Sequence, residues 1–82
     1  MKDEELRNLI LEQIREIAPE ADTNSVRDQD DLRETFDLDS MDFLNLIVAI
    51  HDRAKIDIPE TDYSKLFTLK SAVDYLSHKS RD

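Results

Sequence analysis

Apolar residues recur with the period of an α-helix in three segments of the chain. The first segment runs from about Asp3 to Ala18 and stops before Pro19, because the residue preceding a proline disfavours the helical conformation. At about 100° per residue, one arc of this helix collects Leu6, Leu9, Ile10, Ile14 and Ile17. Leu11 lies off that arc, and we expect it to be partly exposed.

The middle segment begins at Asp39-Ser40 and extends to about Arg53 or Ala54. Asp39 is a good N-cap, and Asp42 completes a capping box in which aspartate replaces the usual glutamate. A helical wheel predicts a buried face made of Phe43, Ile47, Ile50 and Ala54, flanked by Leu44 and Leu46.

The C-terminal segment has the i, i+3, i+4, i+7 spacing of a helix, with apolar residues at Leu69, Ala72, Val73 and Leu76. Thr68 can cap this C-terminal helix. Earlier in the chain, Pro59 favours an extended conformation at Ile58. A short helical segment is predicted over Thr61 to Leu66.

The first two helices are joined by a long connection, residues 19–39, with a helical turn predicted around Asp31 to Thr35. Loops of this length are uncommon unless they are functional or anchored to the core. The predicted anchors are Val26, Leu32, Phe36 and Leu38. Since no alternating strand pattern is visible, we expect residues 1–82 to form a single all-α domain, a four-helix bundle with three longer helices and one short one.

Charge is concentrated before and at the start of the middle helix. The chain has 20 acidic and 11 basic residues, and seven acids but only one base lie between Asp28 and Asp42. Such a surface repels nucleic acid and anionic membranes and attracts basic protein surfaces. A purely solubilising role for the charge is the alternative reading.

Several function classes are disfavoured by composition. Cysteine is absent, which removes disulfides, thiolate metal sites and cysteine nucleophiles, and glycine is absent, which removes glycine-rich phosphate loops. Neither a signal-peptide pattern nor an apolar run long enough to cross a bilayer is present, so we expect a cytoplasmic protein. No metal site is predicted, and a monomer is expected.

Met41 and Val48 fall outside the buried face of the middle helix, beside Asn45 and Asp52. They could pack under the long connection. We favour an exposed apolar strip rimmed by acids, because such a strip is typical of a transient docking surface for basic partners.

Ser40 lies in the first turn of the middle helix, after the acidic cluster. An ordinary helix-start role is one reading. Catalysis is disfavoured because His51 would lie about 16 Å further along the same helix, and acids would oppose an oxyanion. Covalent modification of the hydroxyl is the third reading, since a phosphate there would meet backbone N–H groups and the positive end of the helix dipole.

The stretch Phe36-Asp37-Leu38-Asp39-Ser40-Met41-Asp42 resembles the acyl carrier protein family, whose signature before this helix is leucine-glycine-x-aspartate-serine-leucine. The resemblance covers nearly the whole chain and extends through Leu44 to Ala54, Ile56 to Glu60, Leu66 to Leu69 and Ala72 to Leu76. Asp37 replaces the signature glycine, and aspartate tolerates the left-handed conformation better than most residues.

The resemblance implies a non-enzymatic carrier whose Ser40 holds 4′-phosphopantetheine, transferred from coenzyme A by a phosphopantetheinyl transferase. Acyl groups would be carried as thioesters to loading, transferring or condensing enzymes of fatty-acid, polyketide or related lipid biosynthesis. The implied partner-binding residues are Asp39, Met41, Asp42, Asn45, Val48 and Asp52. If the bundle shelters an acyl chain, its expected lining is Phe43, Leu44, Leu46 and Ile47.

Two alternatives remain open. One is an aminoacyl or peptidyl carrier, although such carriers usually have a glycine-rich stretch before the serine, and this chain has none. The other is an acidic protein-interaction domain that is never modified.

Overall fold

The computed structural model describes residues 2–80 and is all-helical. Its elements are α1 (Asp3–Ile17), α2 (Leu32–Thr35), α3 (Ser40–Ala54), a 3₁₀ helix (Glu60–Leu66) and α4 (Leu69–Lys79). Helix α1 packs against α3 and α4, and α4 also packs against the 3₁₀ helix. The predicted bundle of three longer helices and one short one, with a long loop between the first two long helices, is confirmed, and the helical turn predicted inside that loop is α2.

The core is formed by the apolar faces that the sequence periodicity predicts. Among residues 2–80, the largest side chains that are almost completely buried are Leu6, Ile10, Ile14, Leu32, Leu46, Ile50, Leu66, Leu69 and Leu76. Burial of these faces is the main stabilising contribution, because helices of this length are marginal in isolation. None of the helices between residues 2 and 80 combines the length and hydrophobicity needed to span a bilayer.

The long connection is anchored to the bundle. Its four predicted anchors, Val26, Leu32, Phe36 and Leu38, are all buried, as expected. Polar contacts add to this: Arg7 forms an ion pair with Asp28 at 2.6 Å, and the Lys70 N–H donates to the Asp28 carbonyl at 2.9 Å. The start of α3 is therefore held by a fixed loop.

Two expectations about burial were wrong. Leu11 is buried because α1 packs against both α3 and α4. The buried arc of α1 is therefore wider than packing against one helix would make it. Leu44, placed at the edge of the buried face by the helical wheel, is exposed because it lies on the side of α3 that carries Met41 and Val48.

Candidate functional site

A left-handed turn sets the direction in which the chain enters α3. Asp37 has φ 54°, and it follows the last turn of α2. The Leu38 N–H donates to the Arg33 carbonyl at 2.8 Å, and the Asp37 N–H donates to the Glu34 carbonyl at 3.4 Å. These two bonds form a Schellman motif, which usually contains glycine at the left-handed position. The prediction that Asp37 preserves this turn is confirmed.

Asp39 and Asp42 close the N-terminus of α3. The Asp42 N–H donates to the Asp39 carboxylate at 2.8 Å, and the Asp39 N–H donates to the Asp42 carboxylate at 3.4 Å. This is the predicted capping box, with aspartate in both positions. Ser40 is the first helical residue and is exposed.

The exposed Ser40 hydroxyl lies at the positive end of α3. Backbone N–H groups at the first helical positions have no acceptor within a helix, so those of Ser40 and Met41 point outward beside the hydroxyl. Within residues 2–80, the polar contacts of the Asp39 and Asp42 side chains go to backbone N–H groups and not to the Ser40 hydroxyl.

His51 lies at the opposite end of α3. Its Nδ1 is 2.8 Å from the carbonyl oxygen of Ile56, and since a carbonyl can only accept, Nδ1 carries the proton. His51 therefore closes the turn after α3 and does not contact Ser40. Among residues 2–80, no cluster of histidine and carboxylate side chains could hold a metal ion.

The outer side of α3 carries three large apolar residues. Met41, Leu44 and Val48 are 65%, 41% and 50% exposed. Their spacing of i, i+3 and i+7 places them in one row along the helix, which we call the α3 apolar row. The prediction that Met41 and Val48 are exposed is confirmed, and Leu44 joins them.

Acidic and polar side chains accompany the α3 apolar row. Asp39, Asn45 and Asp52 are exposed, and Asp42, whose carboxylate takes part in the capping box, is half-buried. Five of the six residues predicted to bind partners therefore lie on the helix that begins at Ser40, and the sixth, Asp39, is its N-cap.

An open groove of about 940 Å³ adjoins Ser40. Its lining includes Ser40, Phe43, Leu44 and Phe67. Of the four residues expected to line a sheltering cavity, Phe43 and Leu44 line this groove, whereas Leu46 and Ile47 lie buried in the core.

Arg33 covers the aromatic side of this groove. Its guanidinium carbon is 3.5 Å from the centroid of the Phe67 ring. Its Nη2 donates to Asp31 at 3.0 Å, and this hydrogen bond lowers the pKa of the Asp31 carboxyl. Neither Arg33 nor Phe67 was predicted as a site residue; the only available signal was that Arg33 is the single base in the acidic segment.

Comparison with known proteins identifies the family of the chain. The family described as "Phosphopantetheine attachment site" matches residues 4–76. The chain belongs to the acyl carrier protein family. An acyl carrier protein of Lactobacillus johnsonii is 36% identical over 84 residues, which cover 98% of this chain and 100% of that protein. Acyl carrier proteins of Rubrobacter xylanophilus (32% identical, 85% and 90% covered) and Campylobacter hominis (29% identical, 96% and 94% covered) are also similar.

As a member of the acyl carrier protein family, the chain is an acyl carrier with a covalent 4′-phosphopantetheine prosthetic group. The structure fits such a group at the start of α3. A phosphodiester on the exposed Ser40 hydroxyl would lie next to the N–H groups of the first helical turn, and the adjoining groove leaves space for whatever is attached.

Proposed function

We propose that Ser40 is the attachment residue and that the chain presents acyl groups to enzymes by docking along α3. The observation that carries this proposal is the position of Ser40: it is exposed, it is the first residue of α3, and it lies within the segment matched by the phosphopantetheine attachment family. Residues 1–82 act as a single carrier domain in this proposal.

The chain itself contributes the hydroxyl and a fixed frame around it. During transfer from coenzyme A, Ser40 Oγ forms a bond to phosphorus, the adenosine bisphosphate half of coenzyme A leaves, and the hydroxyl proton passes to a base of the transferase. When bound, the prosthetic group supplies a terminal thiol that holds an acyl group as a thioester, which this cysteine-free chain has no side chain to do. Tethering raises the effective concentration of the acyl group at a docked enzyme.

The surroundings of Ser40 favour a carrier over an enzyme. A serine nucleophile needs a base within hydrogen-bond reach, and the ring of His51 is bonded to the Ile56 carbonyl at the other end of α3. The carboxylates of Asp39 and Asp42 are nearest in sequence and would disfavour a developing oxyanion. We therefore propose that the chain catalyses no reaction.

The proposed docking face consists of the α3 apolar row together with the polar and acidic residues beside it. It contains Asp39, Met41, Asp42, Asn45, Val48 and Asp52, to which the structure adds Leu44. Apolar side chains of this size give weak, reversible contacts, and the surrounding acids attract basic surfaces and speed association. The partners proposed are a phosphopantetheinyl transferase and acyl-loading, acyl-transferring or condensing enzymes with basic docking surfaces.

The cargo is proposed to belong to fatty-acid, polyketide or related lipid biosynthesis, with the protein acting as a monomer in the cytoplasm. An aminoacyl or peptidyl cargo is the second candidate, because the same attachment chemistry serves both. It is favoured only if an amino-acid-activating enzyme loads the protein and acyl-loading enzymes do not.

The attachment residue can be tested by mass. The purified full chain is incubated with coenzyme A, Mg²⁺ and a broad-specificity phosphopantetheinyl transferase, and its intact mass is measured. We expect a gain of one phosphopantetheine in the wild-type chain and none in Ser40→Ala, with Ser64→Ala as a control because Ser64 is also exposed and helical. A gain that persists in Ser40→Ala, or no gain with folded wild-type protein and several transferases, would refute the proposal.

A further inference from the structure

The groove beside Ser40 combines apolar side chains with a single base. Its apolar and aromatic lining consists of Leu38, Phe43, Leu44, Tyr63 and Phe67. Among the lining residues, all of them within residues 2–80, Arg33 is the one base. Because Ser40 lines the same groove, a group attached to the Ser40 hydroxyl can fold back against these side chains and against Arg33.

The guanidinium of Arg33 is held in place by two sets of contacts. Its carbon is 3.5 Å from the centroid of the Phe67 ring and 5.9 Å from that of Phe43, which is a cation–π arrangement. Its Nε and Nη2 donate to the two carboxylate oxygens of Asp31 at 3.3 and 3.0 Å. Since these contacts already order the side chain, little conformational entropy is lost when a further group binds to it.

The backbone of Arg33 is tied to the turn that leads to Ser40. The Arg33 carbonyl accepts the Leu38 N–H at 2.8 Å across this turn. The neighbouring Leu32 N–H donates to the Phe67 carbonyl at 2.7 Å. The segment that carries Arg33 is therefore fixed relative both to the start of α3 and to Phe67.

Part of the hydrogen-bonding capacity of Arg33 is unused. Within residues 2–80 its Nη1 donates to no acceptor, and its side chain is 40% exposed, so water can reach these donors. A purely alkyl group seated against Arg33 would displace that water without replacing its hydrogen bonds, which costs free energy. A group that brings an acceptor oxygen keeps the donor paired.

The charge around the groove distinguishes between kinds of acceptor oxygen. Four acids line it, Glu34, Asp37, Asp39 and Glu60, and the one positive charge is already paired with Asp31. These acids would repel a carboxylate on the cargo. A neutral keto oxygen accepts from the guanidinium without this repulsion.

We infer that Arg33 is a specificity residue for the cargo: its Nη1 donates to a neutral oxygen of the acyl group, so the groove favours ketoacyl groups over alkyl groups of the same length. This inference rests on the proposed attachment at Ser40. Phe43, Leu44 and Phe67 contact the alkyl part of either cargo. The apolar lining therefore serves both cargoes, and Arg33 distinguishes between them.

A cycle of cargoes and variants tests the role of Arg33. Wild type and Arg33→Leu are loaded from octanoyl-, β-ketooctanoyl- or δ-ketooctanoyl-coenzyme A by a broad-specificity phosphopantetheinyl transferase, and thermal midpoints are measured. Leucine keeps an apolar contact with Phe67 but has no donor. The midpoint of the better keto form, relative to the octanoyl form, should be higher in wild type than in Arg33→Leu by at least about 4 °C. Loss of the pair with Asp31 affects every form alike and cancels in this difference.

Arg53→Leu is the matched control, because it removes an exposed arginine near the end of α3. Its differences between keto and octanoyl midpoints should equal those of wild type within about 1 °C. The inference would be overturned if folded Arg33→Leu kept the wild-type differences for both keto forms, or if Arg53→Leu lost them equally.

NMR of the wild-type chain gives a second readout that does not depend on the folding of a variant. The ring protons of Phe67 should show contacts with cargo hydrogens in the octanoyl and keto forms alike. The side-chain N–H signals of Arg33 should shift between the octanoyl form and at least one keto form. Identical Arg33 signals in the octanoyl form and both keto forms would overturn the inference.

A glutaryl group tests whether the favoured oxygen is neutral, because it carries a carboxylate at the position of the δ-keto group. Its midpoint relative to the octanoyl form should change less on Arg33→Leu substitution than that of the better keto form. A larger change for glutaryl would show that Arg33 selects carboxylates and would overturn the inferred cargo class.

The outcomes separate this inference from the proposed function. Attachment at Ser40 is read from the gain in intact mass before any midpoint is measured. Loss of that gain in the wild-type chain refutes attachment, whereas a normal gain followed by equal midpoint differences in wild type and Arg33→Leu refutes only the role of Arg33.

Discussion

Asp39 and Asp42 each bind the backbone N–H of the other, with N–H to carboxylate distances of 2.8 and 3.4 Å. These two acids flank Ser40 and Met41, and their carboxylates cap α3 while remaining on the surface. The same side chains therefore stabilise the helix start and supply negative charge for docking. Their two roles respond differently to substitution.

Asp39→Ala should lower the free energy of unfolding by about 1 kcal/mol, because it removes the side-chain cap of α3. Asp39→Asn should leave stability nearly unchanged, since asparagine caps equally well, but it removes the charge. Both variants should slow modification by a phosphopantetheinyl transferase. Urea unfolding and initial modification rates provide the two measurements; equal stability losses in both variants would show that the carboxylate contributes through charge and not through capping.

The helices and their caps were predictable from the sequence because they depend on local rules. The capping residues Asp39 and Thr68 and the turn around α2 are all found where local sequence places them. The left-handed Asp37 was also predictable, because few residue types accept positive φ at a position that usually holds glycine. The position of Ser40 at the start of α3 and its exposure follow from these local features.

The errors and omissions arise where tertiary packing decides. Leu11 is buried because two helices pack against α1, and Leu44 is 41% exposed because it lies on the outer side of α3 with Met41 and Val48. Neither fact can be read from the periodicity of a single helix. The contact between Arg33 and Phe67 spans a long stretch of sequence and depends on the pairing of Asp31 with Thr68, so no local pattern predicts it.

Lys55 is a position where the chain carries backbone strain. It follows α3 with φ 59°, and its N–H donates to the His51 carbonyl at 2.9 Å, so it ends the helix in the left-handed conformation. Lys55→Gly should raise the free energy of unfolding by roughly 1 kcal/mol, because glycine adopts this conformation without strain. Lys55→Ala removes the charge but keeps the strain, and thermal unfolding should distinguish the two. A stabilisation of the same size in Lys55→Ala would contradict this explanation.

Tyr75 should make stability depend on pH at high pH. Its burial and its hydrogen bond to Asp62, at 2.7 Å, raise the pKa of Tyr75 to about 12. An unfolded tyrosine has a pKa of about 10. The folded state therefore binds this proton more tightly, and the resulting stabilisation is complete below about pH 10 and is lost as the pH rises towards 12.

The stability advantage of wild type over Tyr75→Phe should accordingly shrink between pH 10 and 12, as measured by urea unfolding at a series of pH values. Absorbance titration in a Tyr63→Phe background, where Tyr75 is the only remaining tyrosine, should give a midpoint near 12. A midpoint near 10 would show that the contact with Asp62 does not persist in solution.

Gln13 is a polar residue on the buried, otherwise apolar face of α1. Its side chain is 4% exposed, and its amide nitrogen has no hydrogen-bond partner among residues 2–80. Gln13→Met should raise the free energy of unfolding by about 1 kcal/mol, because a buried donor without a partner is removed and the volume is nearly kept. Gln29→Met, at an exposed position, should change it little. Denaturant midpoints measure both, and an unchanged or lower midpoint for Gln13→Met would indicate that water satisfies the amide.

Val48 offers the sharpest test of the α3 apolar row. It is 50% exposed and lies two turns from Ser40, so it can contact a partner without altering the attachment residue. Val48→Thr keeps the branched shape and adds a hydroxyl. It should raise KM for a phosphopantetheinyl transferase by about fivefold, equivalent to roughly 1 kcal/mol, with kcat unchanged because the Ser40 hydroxyl is undisturbed. Glu12→Gln, on the exposed side of α1, serves as the control and should leave KM unchanged. A fall in kcat with constant KM in Val48→Thr would mean that this residue acts on the conformation of Ser40 and not as part of a docking surface.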